Sequence, residues 1–186
     1  LDRKLKQKLH IEYLNERIRK IAGRIRSFKL FSTEQRKKLY IAWVQGLLLS
    51  NSLAYLPFLK INEIRRLQTA CNFAIRAVIM KTRRNRLSMK MQRQNLGLMS
   101  IKQLRKYIIW TDCVKKNSLF LTELGNQSGP NTRAMKKGKL RHGVMDNLES
   151  IFKREFNLIP ECLFESSSIR KTKMKIRKYL MANENE

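Results

Sequence analysis

The chain has 186 residues, with 41 Lys or Arg against 14 Asp or Glu and a formal net charge of +27. Charge of that size repels itself in a compact state, so the composition points to a polyanionic partner. A hydrophobic fraction of 42% argues against a disordered basic tail. No apolar run approaches the ~18 residues of a membrane span; the longest, Leu47 to Leu59, is broken by Ser50, Asn51, Ser52 and Pro57, and no membrane partner is expected.

In chain order, Leu14, Ile18, Ile21, Ile25 and Phe28 recur three and four apart and predict a first helix with one apolar stripe. Arg17, Arg19, Lys20, Arg24 and Arg26 cover the rest of it. Ser32 and Gln35 have the spacing of a capping box. They open a second helix through Leu39, Tyr40, Trp43 and Leu47 toward Ala54, with a bend expected at Gly46 and a stop at Pro57. Asn62 is the expected N-cap of a third helix, whose Ile64, Leu67, Cys71, Ile75 and Val78 face inward. Lys81 to Arg86 is a basic connector, and a short helix over Ser88 to Leu96 stops at Gly97. Ser100 and Gln103 start another helix through Leu104, Ile108 and Val114. Gly125 to Gly143, with Gly, Pro, Ser, Asn and a run of lysines, reads as a linker. Further helices are expected near Asn147 to Phe156 and Ile169 to Met181. No stretch alternates like a strand. The fold class is therefore all-α: a multi-helix bundle over residues 1–118, a basic linker over 119–145 and a two-helix C-terminal appendage over 146–186. The sequence starts at Leu1 rather than Met, and is expected to be a piece of a longer product.

Catalysis within these residues is not expected. The aspartates are Asp2, Asp112 and Asp146, far apart in sequence, and no P-loop or dinucleotide fingerprint occurs. His10 and His142 have no partners at catalytic spacing. Cys71, Cys113 and Cys162 show no zinc-ligand spacing; Cys71 and Cys113 fall at apolar helical positions and are expected to be buried thiols in a reducing compartment.

The most informative segment runs from Arg65 to Trp110. It contains no carboxylate and twelve basic side chains. Eleven of them are the expected nucleic-acid contacts: Arg65, Arg66, Arg76, Lys81, Arg83, Arg84, Arg86, Lys90, Arg93, Lys102 and Arg105; Lys106 is the twelfth. Arg65 and Arg66 read as lying in the first turn of the third helix, where free amides and the helix dipole favour a phosphate. Lys81-Thr-Arg-Arg-Asn-Arg86 follows at its other end, with Thr82 and Asn85 as further donors. Trp43, Tyr55 and Trp110 could stack on bases, but their spacing among leucines favours the core.

The order of motifs resembles the thumb and following region of reverse transcriptases from non-LTR (LINE-type) retrotransposons. Leu1-Asp2 is similar to the end of the strand that closes the palm in that family. YLNERIRKIAGRIRSFK and TEQRKKLYIAWVQGLLLS resemble its first thumb helices. Leu67, Gln68, Asn72, Ala74, Ile75 and Arg76 match a Leu-Gln-x-x-x-Asn-x-Ala-Ile-Arg helix, and LGLMSIKQLR matches the segment beyond it. FNLIPECLFESSSIRKTKMKIRKYL is similar to the closing pattern. Ser50-Asn51, Gly46 and Ile176 depart from it, standing where relatives often carry Tyr-Gly, Pro and Leu.

The resemblance implies a non-catalytic C-terminal fragment of an RNA-directed DNA polymerase. Its catalytic palm would lie upstream, with a divalent metal, magnesium, bound there and no cofactor in this fragment. The implied partners are that palm domain and RNA, RNA–DNA or DNA duplex, in a nuclear and cytoplasmic ribonucleoprotein. Without the resemblance, charge and helices alone also suit a free-standing, sequence-tolerant RNA-binding protein.

Overall fold

The computed structural model describes residues 3–50, 52–82, 87–124, 151, 154–155, 158–160, 163 and 169–183. The described residues are helical and connecting segments, with no strand among them, and the fold is all-α. The part of the expected linker from residue 125 on lies outside the described residues, as does most of the helix expected near Asn147 to Phe156. By contacts the chain divides into two compact units, Leu1–Lys102 and Gln103–Glu186. Residues 103–118, read above as part of the first bundle, thus fall with the second unit.

The first unit is built on α1 (Arg3–Ser27) and α5 (Ile61–Val78), which pack along their length. The buried seam of α1 is Ile11, Leu14, Ile18, Ala22 and Ile25. This seam is rotated from the stripe expected in the sequence. Ala22 takes the place of a larger residue, and Ile21 and Phe28 are left half-buried on the flank. The reason lies in the partner: α5 presents Ala70, Ala74 and Ala77 among Ile64, Leu67, Ile75 and Val78, all buried. Small side chains on both helices let the backbones approach closely, and close-packed interiors reward that approach over bulk.

Ser32 caps α2 (Thr33–Tyr40) in a complete capping box: its hydroxyl accepts Gln35 N–H at 3.2 Å, and Gln35 Oε1 accepts Ser32 N–H at 2.8 Å. The helix then widens into one π-helical turn, Ile41–Gln45, before α3 (Gly46–Leu49). This turn explains which residues go inside. Arg36, Tyr40, Val44 and Leu48 are buried at strict four-residue spacing. In a regular α-helix that row would drift by about 40° at each step. The extra residue taken up by the π-turn keeps the row on one face. Trp43 and Leu47, expected in the core, are moved to the flank; Trp43 is 37% exposed.

Ser50 turns extended (φ −62°, ψ 123°) and ends α3. A short α4 (Ser52–Tyr55) and a 3-10 turn carrying Pro57 lead to α5. The hydroxyl of buried Tyr55 donates to the Leu48 carbonyl at 2.6 Å, satisfying one of the open acceptors at that helix end. Among the described residues no single helix is long and apolar enough to cross a membrane. The segments Thr33–Leu49 and Ser52–Phe58, which meet at 51°, reach that length and apolarity only together; their Tyr40, Val44, Leu48, Tyr55 and Leu56 are buried.

Helix α5 begins at Ile61, with Lys60 rather than Asn62 at the N-cap. Lysine cannot accept a hydrogen bond there. The work falls to the Glu63 carboxylate, which accepts Lys60 N–H at 2.7 Å. At its other end Lys81 N–H returns to the Arg76 carbonyl at 3.0 Å, and Met80 takes φ 55° in between. This is a Schellman-type ending with methionine where glycine is usual. Helix α6 (Met89–Leu96) ends the same way with the expected glycine, Gly97 at φ 63°, and Leu98 N–H donates to the Arg93 carbonyl at 2.9 Å.

In the second unit, α7 (Ile101–Leu124) buries Leu104, Ile108, Ile109, Trp110 and Cys113, and α8 (Ile169–Ala182) buries Thr172, Ile176 and Leu180. The amide of Gln103 donates to the Leu180 carbonyl at 2.6 Å near the end of α8. Trp110 Nε1 donates to Glu155 at 3.3 Å, and its ring lies 6.0 Å from Tyr179. Trp110 and Tyr55 are core residues, as their spacing predicts.

Candidate nucleic-acid interface

The structure sorts the expected contact residues into groups with different chemistry. Arg65 and Arg66 stand exposed on α5. They occupy its second turn, because the helix starts earlier than its sequence suggested. The amides of the first turn do not await an anion there, since Glu63 already places a carboxylate at that end. The two arginines therefore act as side chains reaching outward, without help from the helix terminus.

They begin a stripe along one face of α5. Arg65, Thr69, Phe73 and Arg76 follow three and four apart, with Phe73 44% exposed; Met80, just beyond the helix end, is 37% exposed. Thr69 donates to the Arg65 carbonyl at 2.9 Å and is turned along the helix. Arg76 is half-buried, and its Nε meets no hydrogen-bond acceptor among the described residues. Lys81 follows the helix end; its side chain is exposed, while its carbonyl accepts Arg26 Nη2 at 3.0 Å. Lys90 on α6 and Lys102 are also exposed. Arg83, Arg84 and Arg86 lie outside the described residues.

Two of the expected contacts are committed elsewhere. Arg93 is buried, and its Nη1 donates to Asn72 Oδ1 at 3.0 Å. The same oxygen accepts Gln68 Nε2 at 2.9 Å, and Gln68 Oε1 accepts the Ile101 amide at 2.8 Å. This chain of bonds ties α6 and Ile101 to α5. Arg93 is thus a fold residue, whose spacing in a basic sequence gave no sign of it. Gln68 and Asn72 have the same task, and Leu67, Ala74 and Ile75 beside them are buried. Of that six-residue pattern Gln68, Asn72 and Arg76 are half-buried. Arg105 belongs to the second unit, half-buried near Glu155 and Arg154; desolvation holds its pKa below the ordinary arginine value, with Glu155 opposing that shift.

Another arginine has a structural role. Arg36 is 6% exposed, and its Nε donates to the Val78 carbonyl at 2.7 Å. Its Nη1 donates to the carbonyls of Phe28 and Phe31, and its Nη2 meets Thr33 Oγ1 at 3.4 Å. A guanidinium is suited to this, with five donors in a fixed fork and a positive charge at a helix C-terminus.

Below the α5 stripe the buried thiol and phenols are held in their neutral forms. Burial pushes the Cys71 thiol up to about 12, with the neighbouring Tyr40 hydroxyl and Arg93 opposing it. Burial likewise raises Tyr40 and Tyr55. A thiol so raised is a poor nucleophile at neutral pH. Cys113 is also buried. His10 packs its ring edge-on against Tyr55, 4.8 Å between centroids. Among the described residues no three His, Cys, Asp or Glu side chains gather closely enough to hold a metal ion.

A groove of ≈ 370 Å³ runs beside α1, where the π-turn approaches it. Arg17, Lys20 and Arg24 stand along it, and Ile21, Ala42, Trp43 and Leu47 supply its apolar surface. Arg17 also lies 5.7 Å from the Tyr13 ring centroid, and Lys20 pairs with Glu16 at 2.6 Å. The sequence showed these basic residues only as the outer side of an amphipathic helix. Their spacing of three and four places them on one face, but the aromatic wall opposite depends on the π-turn. Comparison of the chain with protein-family models, curated proteins and solved structures finds no match.

Proposed function

We propose that the chain binds nucleic acid through its basic helices, as the non-catalytic thumb and post-thumb segment of a LINE-type reverse transcriptase. In this reading it grips template RNA or RNA–DNA duplex by the backbone, while an upstream palm carries the metal and the chemistry. The observation that carries it is the acid-free run, which leaves Arg65, Arg66, Lys81, Lys90 and Lys102 exposed and Arg76 partly so. No carboxylate within the run competes with phosphate for those cations. Backbone contacts fix position without reading sequence, which suits a surface past which any duplex must slide. The wide minor groove of an A-like duplex accepts helix surfaces of this kind. The shared order of the thumb-like motifs supports the assignment to a polymerase rather than to a free-standing RNA-binding protein.

The test is binding of RNA–DNA duplexes of unrelated sequence, followed by anisotropy across a salt series. Affinity should be equal among sequences. With six to ten phosphate contacts it should fall roughly 10³–10⁵-fold between 50 and 200 mM salt. Arg65→Gln with Arg66→Gln should lower the salt slope by about two. An unchanged slope would remove α5 from the interface. The parentage has its own test: the reading frame upstream should encode a Tyr/Phe-x-Asp-Asp turn, and an intact frame without one would refute it.

A further inference from the structure

A row of aromatic rings leads out of the groove beside α1. Phe28 lies 6.3 Å from Trp43 between centroids, tilted by 52°; Phe31 lies 4.9 Å from Phe28, at 25°. Trp43 and Phe31 are 37% and 39% exposed, and Phe28 is half-buried. Two devices hold these rings at the surface. The π-turn displaces Trp43 from the buried row. Arg36 fixes the loop of the other two by donating hydrogen bonds to their carbonyls. Along the same groove Arg17, Lys20 and Arg24 span seven residues of α1, about 10 Å of helix rise.

We propose that this face is a single-stranded nucleic-acid site, separate from the duplex-gripping residues of α5. Bases stack on Trp43 and on the Phe28–Phe31 pair, and the connecting phosphates pair with Arg17, Lys20 and Arg24. A cationic groove combined with flat aromatic platforms is the general chemistry of sequence-tolerant single-strand binding. The ≈ 370 Å³ groove falls in the size range of sites that seat one small organic group, which suits one unpaired base with its sugar. An acidic amphipathic helix would also match the charge. The strand is favoured because the exposed apolar surface is a row of rings, with the cations set along one edge. The inference rests on the polynucleotide reading above, but on different residues.

The experiment uses the full chain with Trp110→Phe, which leaves Trp43 as its only indole. An oligouridine of about ten nucleotides is titrated, and an RNA–DNA duplex in a separate series. Oligouridine should quench Trp43 emission. By anisotropy of a labelled strand, Trp43→Leu should weaken single-strand binding roughly 5- to 150-fold. Trp43→Phe should restore most of the loss, which also shows that the fold survives. Arg17→Gln with Arg24→Gln should lower the single-strand salt slope by about 1.4. Duplex affinity should be unchanged in all of these variants. Equal single-strand affinity in Trp43→Leu and parent would overturn the site, as would a Trp43→Phe variant no better than Trp43→Leu. So would quenching by an acidic amphipathic peptide and not by oligouridine. If duplex binding still depends on Arg65 and Arg66 in those cases, the reading above stands alone; if neither polynucleotide binds, both fail.

Discussion

Replacing Arg36 with methionine tests how the first unit is held together. The two side chains have similar reach, so packing is largely kept. What disappears is a buried guanidinium that donates to the carbonyls of Val78, Phe28 and Phe31. Hydrogen bonds from a charged donor contribute about 1.5–3 kcal/mol each, and an orphaned buried acceptor costs about 1–3 kcal/mol. The shortest well-formed contact, to Val78 at 2.7 Å, is buried; the contact to Phe28 at 3.4 Å is weak. Removing the buried arginine also relieves its own desolvation, which offsets part of the loss. The net expectation is a destabilisation of about 2–4 kcal/mol. The assay is urea unfolding followed by Trp43 fluorescence in a Trp110→Phe background, which reports on the first unit. Arg36→Lys should recover less than half, because an ammonium cannot reach all three carbonyls at once. A loss below about 1 kcal/mol for Arg36→Met, or full recovery by lysine, would refute the reasoning.

Leu67 is fully buried on α5, and Leu67→Ala should cost roughly 2–5 kcal/mol in the same assay. Met80 holds φ 55° without the freedom of glycine; Met80→Gly should stabilise by about 0.5–1 kcal/mol, the αL strain less the greater entropy of unfolded glycine, measured by thermal melts. Stability should also fall in alkali. Cys71 ionises near 12 folded against 9.0 when exposed, and a raised folded value means that the contribution is complete below pH 9 and lost as pH rises toward 12. Tyr40 and Tyr55 act in the same direction above pH 10. An alkaline midpoint unchanged in Cys71→Ala would remove the thiol from that account.

Much of the local structure was legible in the sequence. The Ser32–Gln35 capping box, the Gly97 stop and the helix over Ile169 to Met181 rest on short-range rules: who can accept an N–H, and who tolerates positive φ. The exposure of Arg65, Arg66, Lys81, Lys90 and Lys102 followed from the same periodicity. What the sequence left illegible were residues whose surroundings are set at long range. Arg93 and Arg105 look like their neighbours until packing brings Asn72 to the first and Glu155 near the second.

By itself, then, the sequence determined an all-α chain with a large positive charge, carried along a segment free of carboxylates. Those properties follow from residue type and spacing over a few turns. Only the tertiary structure decided which cations stay at the surface. Arg36 and Arg93 fill acceptors that folding brings to them, and an unpaired buried carbonyl or amide oxygen is costly. The π-turn decided the rest: one residue of extra turn brings Val44 and Leu48 inside and leaves Trp43 at the surface beside the cations of α1.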